Sequence, residues 1–147
     1  MKTIVEKGLK IATAESLTGG GLAAAIIANP GASAYFDEGL ITYSNESKVH
    51  RLGVRESTLA AHGAVSPECA SEMAAGIAQK ARADIGIATT GIAGPDGGST
   101  AKPVGLVYIA IHYKNATEVR KFNFAGSRTE IIAQTISAAL EMLQSII

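Results

Sequence analysis

Residues 91–99, Gly-Ile-Ala-Gly-Pro-Asp-Gly-Gly-Ser, hold four glycines, a proline and an aspartate in nine positions. No helix or strand interior tolerates that composition, because glycine costs backbone entropy and proline removes a donor. The stretch is therefore a loop. Ile85, Ile87 and Ala88 just before it read as strand, which puts the loop at a strand's carboxyl end. A chain that turns so tightly exposes several backbone N–H groups and lets a flat or anionic ligand approach the main chain. The same composition also suits a plain surface connection. The loop marks a place, and the chemistry has to come from other residues.

The elements around it imply layers. Lys2–Lys7 reads as a short helix ending at Gly8, and Leu9–Ala14 as a strand. Thr18-Gly19-Gly20-Gly21 opens a small-residue helix that Asn29-Pro30-Gly31 stops. Three glycines at a helix start call for a close ligand or a close neighbouring backbone. Gly39–Tyr43 is the next strand, followed by helices near Glu46–Leu52 and Glu56–Ala61. Ser66 is a good N-cap before Pro67, and the helix it opens carries Met73, Ile77 and Ala81 along one side. Asp84–Thr90, Val104–His112 and Thr117–Phe124 read as strands, the last two as a hairpin through Tyr113-Lys114-Asn115-Ala116. Ser127 and Glu130 form a possible capping box ahead of an apolar stripe from Ile131 to Leu143. Helices between and after strands predict an α/β fold, a three-layer α/β/α sandwich whose mixed central sheet includes the hairpin. With 147 residues and no polar linker, a single domain over 1–147 is expected.

Composition narrows the partners. The 13 basic and 13 acidic residues cancel and form no like-charged run, which argues against nucleic acid or an anionic membrane as the main partner. Charged residues are only 18% of the chain against about 25% in an average domain, and the chain ends in Ile146-Ile147. Both features favour a homo-oligomer. Cys69 is the one cysteine and reads as a small buried thiol, while His50, His62 and His112 match no zinc spacing. The charged start, Met1-Lys2-Thr3-Ile4-Val5-Glu6, is unlike a secretory leader, and no apolar run is long enough to span a bilayer. A cytoplasmic protein is expected.

Several signatures come close and fail. Gly91-Ile92-Ala93-Gly94 lacks the third glycine of a dinucleotide fingerprint, and Gly94–Lys102 lacks a P-loop ending. Gly31-Ala32-Ser33-Ala34-Tyr35 misses the last glycine of a nucleophile elbow. Ser99-Thr100-Ala101-Lys102 matches Ser-x-x-Lys, but lies in an irregular loop before Pro103. The remaining polar concentrations are Ala14–Gly20 and Ser33–Lys48, and in a sandwiched sheet such strand-to-loop transitions can converge on one crevice.

Longer blocks are more specific. They are Thr13-Ala14-Glu15-Ser16-Leu17-Thr18-Gly19-Gly20, Gly31-Ala32-Ser33-Ala34-Tyr35-Phe36, Ile41-Thr42-Tyr43-Ser44-Asn45-Glu46-Ser47-Lys48 and His62-Gly63-Ala64-Val65-Ser66. Gly91–Gly98 and Lys102-Pro103-Val104-Gly105 complete the set. In this order and over nearly the whole chain, they closely resemble the CinA carboxyl-terminal domain family. The resemblance implies a three-layer α/β/α domain that cleaves the carboxamide of nicotinamide mononucleotide, giving nicotinate mononucleotide and ammonia. It implies a small pyridine-nucleotide substrate, no cofactor and no metal. A non-catalytic nucleotide-binding or interaction module of the same family is the alternative. Carried over by motif, the resemblance makes Ser33 the nucleophile, assisted by Tyr43 and Lys48. It assigns Ser16, Thr18, Gly19, Thr90, Gly91, Gly94 and Asp96 to substrate binding, although Asp96 also suits holding its own turn. The chain departs from the family at its short first helix, away from all these residues.

The implied chemistry has a physical sense. Serine attacks an amide only when a base takes its proton and a donor meets the developing oxyanion. A free lysine, with pKa about 10.4, is deprotonated only about once in 2,500 molecules at pH 7. Burial or a neighbouring cation lowers that value, and the pyridinium of the implied substrate would act in the same direction.

Overall fold

The computed structural model describes residues 2–147. The elements are α1 (Lys2–Glu6), β1 (Ile11–Glu15), α2 (Gly21–Ile27), a 3-10 turn (Ala32–Ala34), β2 (Phe36–Ile41), α3 (Asn45–Leu52), α4 (Glu56–His62) and α5 (Pro67–Ala81). They continue with β3 (Ile85–Gly91), β4 (Leu106–Tyr113), β5 (Ala116–Asn123) and α6 (Arg128–Ile146). The five strands form one sheet in the order β2-β1-β3-β4-β5. β1 pairs parallel with β2 and β3, whereas β3–β4 and β4–β5 are antiparallel. The mixed sheet and the hairpin are as expected from the sequence.

Alternation along the strands builds two different layers. Ile11, Ile85, Ile87, Val107, Ile109 and Ile111 pack with Ile4, Leu22, Ile26 and α6 on one face. Ala12, Ala14, Ala88 and Ala110 meet Met73, Ala74, Ile77 and Leu52 on the other. Small residues on that second face let α5 lie close to the sheet. A Cβ built on Gly86 of β3 would stand 2.1 Å from the Ala74 carbonyl oxygen, so no larger residue fits there without moving the helix.

Several boundaries differ from the sequence reading, by one or two residues at β1, β4 and β5 and by three at the starts of the second strand and second helix. The second strand begins at Phe36 rather than Gly39, and Tyr43 lies beyond its end. Its burial alternates in an edge strand, where Asp37 and Glu38 can interrupt the apolar pattern without loss of pairing. The helix expected from Thr18 starts at Gly21. Gly20 holds φ +95°, a left-handed conformation that halts helical continuation backwards. Gly21 is small because Ile136 of α6 is packed against it: a Cβ there would lie 2.7 Å from Ile136 Cδ1. A neighbouring side chain, rather than a ligand or backbone, accounts for that glycine.

Candidate functional site

Glu15 closes β1 and Ser16 follows it, two polar residues that the strand's period of two sends to opposite faces. Glu15 turns to the α2 side, where it is 1% exposed. Its Oε2 accepts from Thr18 Oγ1 at 2.6 Å and from the N–H groups of Gly20 and Leu22 at 3.0 and 2.9 Å. Its Oε1 accepts from the Ala23 N–H at 2.8 Å and from Thr13 Oγ1 at 3.3 Å. These donors include amides that a helix start leaves unpaired, so the carboxylate fixes the whole 15–23 turn. Ser16, the next residue, turns to the α3 side.

There it meets Lys48. Ser44 caps α3 by accepting the Ser47 N–H at 3.0 Å, and Gly53 at φ +71° ends it. The buried residues of this short helix are Lys48 and Leu52, one turn apart. Lys48 is 1% exposed, with Nζ 2.7 Å from the Thr42 carbonyl, 3.3 Å from the Tyr43 carbonyl and 3.2 Å from Ser16 Oγ. Carbonyls only accept, so two N–H bonds are committed in either protonation state. The hydroxyl can donate as well as accept. In the neutral amine, the single lone pair therefore falls to Ser16. Burial lowers the Lys48 pKa, opposed by Cys69. Burial also pushes the Cys69 thiol up to about 11, so at neutral pH it carries no charge with which to hold the lysine protonated.

Ser16 and Lys48 line a cavity of about 200 Å³ with Leu17, Tyr43, Ala64, Val65, Thr90, Gly91, Ala93 and Arg128. It lies at the carboxyl ends of the parallel strands β1, β2 and β3. Thr90 Oγ1 donates to the Ala64 carbonyl at 2.8 Å, joining β3 to the loop before α5. Arg128 reaches in from the start of α6, where Ser127 and Glu130 form the expected capping box. A larger open groove of about 600 Å³ lies against Asp84, His112 and Lys114 at the opposite end of the strands, and no serine or cysteine lines it.

The residues named from the sequence divide accordingly. Ser16, Tyr43, Lys48, Thr90 and Gly91 line the cavity, and the Gly94 carbonyl accepts from Arg128 Nη1 just beside it. Tyr43 offers Lys48 its backbone carbonyl, not its hydroxyl, which accepts from Arg128 Nη2 at 3.1 Å. Thr18 is buried on the α2 side, bonded to Glu15 and Thr89, and the Gly19 N–H donates to the Ser16 carbonyl. Asp96 lines a separate open recess within the glycine-rich loop.

Within one chain Ser33 lies apart from Lys48. It is exposed on the turn before β2, whose first residue, Phe36, is in register with Ile11 at the start of β1. Ser16 follows the other end of β1. Five strand residues at about 3.3 Å each therefore hold Ser33 roughly 17 Å from the Lys48 end of the sheet. Sequence reasoning also missed Arg128, which nothing but tertiary packing brings here. Ser99 and Lys102 form no dyad: Lys102 Nζ donates to the His62 carbonyl, while Ser99 Oγ accepts the Lys102 backbone N–H.

Comparison with known proteins bears on the family and the fold. The family model described as CinA C-terminal domain matches residues 1–147. A relative from Clostridium perfringens, named for competence-damage induction, is 51% identical over 143 residues, covering 97% of this chain and 35% of its own length. The chain thus spans about a third of the curated relatives it matches. Among solved structures, a competence damage-inducible protein A from Klebsiella pneumoniae superposes with TM-score 0.95 at 42% identity, covering 98% of this chain and 89% of that one. A CinA superfamily protein from Escherichia coli gives 0.96 at 34% identity, covering 99% and 85%. Among the described residues no helix is long and apolar enough to cross a membrane, and no three His, Cys, Asp or Glu side chains are grouped to hold a metal.

Proposed function

The chain belongs to the CinA C-terminal domain family, and on that premise we propose that it is an amidohydrolase cleaving the carboxamide of nicotinamide mononucleotide to nicotinate mononucleotide and ammonia. The observation that carries the reading is the buried contact of Lys48 Nζ with Ser16 Oγ, 3.2 Å apart in a cavity. Ser16 is the nucleophile and Lys48 its base. The neutral amine takes the hydroxyl proton as Oγ bonds to the carboxamide carbon. The carbon–nitrogen bond then breaks, Lys48 hands its proton to the leaving amine, and ammonia departs from an ester on Ser16. Water attacks that ester, giving its proton to Lys48, which returns it to Ser16 Oγ as the carboxylic acid leaves. The sum is one amide and one water to one acid and one ammonia. Tyr43 accepts from Arg128, which leaves its own O–H at the cavity mouth to donate to the developing oxyanion.

The test is ammonia release from nicotinamide mononucleotide by the purified chain. Release is expected, and it should fall to background in Ser16→Ala. No release by folded wild-type protein, or equal release by Ser16→Ala, would overturn the reading. Nucleotide binding without turnover would favour a binding module instead.

A further inference from the structure

Arg128 is the one guanidinium lining the cavity. Nη1 donates to the Gly94 carbonyl at 2.8 Å and Nη2 to the Tyr43 hydroxyl at 3.1 Å. These bonds use two of the five N–H donors of an arginine and pin its fork across the glycine-rich loop and Tyr43, the second residue after β2. The other three have no protein acceptor, and no carboxylate pairs with this side chain among the described residues. Nor does any Asp or Glu line the cavity. Lys48 faces inward and is drawn toward its neutral form, so the standing positive charge at the mouth belongs to Arg128.

Size points the same way. About 200 Å³ is below the roughly 300–1,000 Å³ of a site that encloses a whole ligand, so the cavity takes the reacting end and leaves the remainder at the mouth. The helix end beneath Arg128 is already capped, since Ser127 Oγ accepts the Glu130 N–H and Glu130 accepts the Ser127 N–H. An anion there has to be met by the side chain.

We propose that Arg128 binds the phosphate monoester of the substrate, and so selects the nucleotide over its phosphate-free nucleoside. The kinetic part rests on the amidohydrolase reading, whereas the binding part does not. A pinned guanidinium with free donors matches a phosphate's oxygens, and the bond is charge-assisted on both sides. The exposed position of Arg128 lets substitutions be made without loss of core packing.

The experiment compares wild type, Arg128→Gln and Arg128→Lys on nicotinamide mononucleotide and on the same nucleoside without phosphate. Arg128→Gln should raise KM for the nucleotide by about 10–100-fold more than for the nucleoside, while any loss of kcat through the freed Tyr43 hydroxyl should be the same on both substrates. Arg128→Lys should recover part of the KM difference. An equal rise in KM on both substrates would make Arg128 only a brace for Tyr43 and Gly94 and overturn the proposal, as would no rise on either. Calorimetric titration with the nucleotide, the nucleoside and inorganic phosphate separates this from the function reading. Phosphate-dependent binding by wild type that disappears in Arg128→Gln upholds the proposal even if no ammonia is ever released. Binding that survives in Arg128→Gln, or is absent in wild type, overturns it.

Discussion

Replacing Glu15 by glutamine would disturb the turn that carries Ser16 while keeping its shape. The wild-type carboxylate is 1% exposed and collects five donors, three on Oε2 and two on Oε1. A glutamine amide oxygen does best in the place of Oε2. Its NH2 then faces the Ala23 N–H, donor against donor, whereas the Thr13 hydroxyl can rotate to accept. One buried N–H thus loses its acceptor, at about 1–3 kcal/mol, and the remaining bonds lose their charge assistance, at about 1 kcal/mol. The sum is about 2–4 kcal/mol. For a chain of this length 1 kcal/mol shifts Tm by about 3 °C, so melting should fall by about 6–12 °C. Denaturant unfolding should give the same loss with an unchanged slope, since the buried surface is the same. Under the proposed mechanism kcat should drop more than KM rises, because the serine loses its alignment with Lys48. Unfolding free energy within about 0.5 kcal/mol of wild type would refute this account of the 15–23 turn.

Ammonia assays should show Ser33→Ala within about twofold of wild type, as expected of an exposed side chain remote from the cavity; background activity would restore Ser33 to the mechanism. Lys48→Met should lose turnover while the protein still melts cooperatively, and substantial retained turnover would exclude Lys48 as base. Because burial lowers the folded-state pKa of Lys48, the unfolded chain binds more protons between that lowered value and about 10.4. Stability and, under the proposal, kcat/KM should both rise with pH across this window, and Lys48→Met should flatten both slopes. Gly86→Ala, with its Cβ 2.1 Å from the Ala74 oxygen, should cost about 3 kcal/mol by denaturant titration. Gly97→Ala meets nothing nearer than 3.9 Å, and its strain at φ +86° should cost only about 1 kcal/mol.

What the sequence determined by itself was local. Alternating Ile11 and Ala12, or Ile85 and Gly86, already specifies strands with two unlike faces, and Ser66-Pro67 and Ser127 with Glu130 already write helix starts. Lys48 was legible only through its motif, because a lysine on a short polar helix reads locally as solvated, and its burial one turn from Leu52 shows only in the folded chain. Periodicity and capping act within a few residues, so a linear reading recovers them. The pairing of Lys48 was not local. Ser16 and Ser33 both stand in short motifs of small and polar residues, and nothing near either one says which meets the lysine. Parallel pairing of β1 with β2 decides it: the Glu15–Ile41 register brings Ser16, Thr42 and Tyr43 to one end of the sheet and leaves Ser33 at the other. The packing of α6 against the sheet then returns Arg128 to the same end, 85 residues beyond Tyr43. Contacts between distant residues follow from register and packing, quantities that come into being only when the strands are laid side by side.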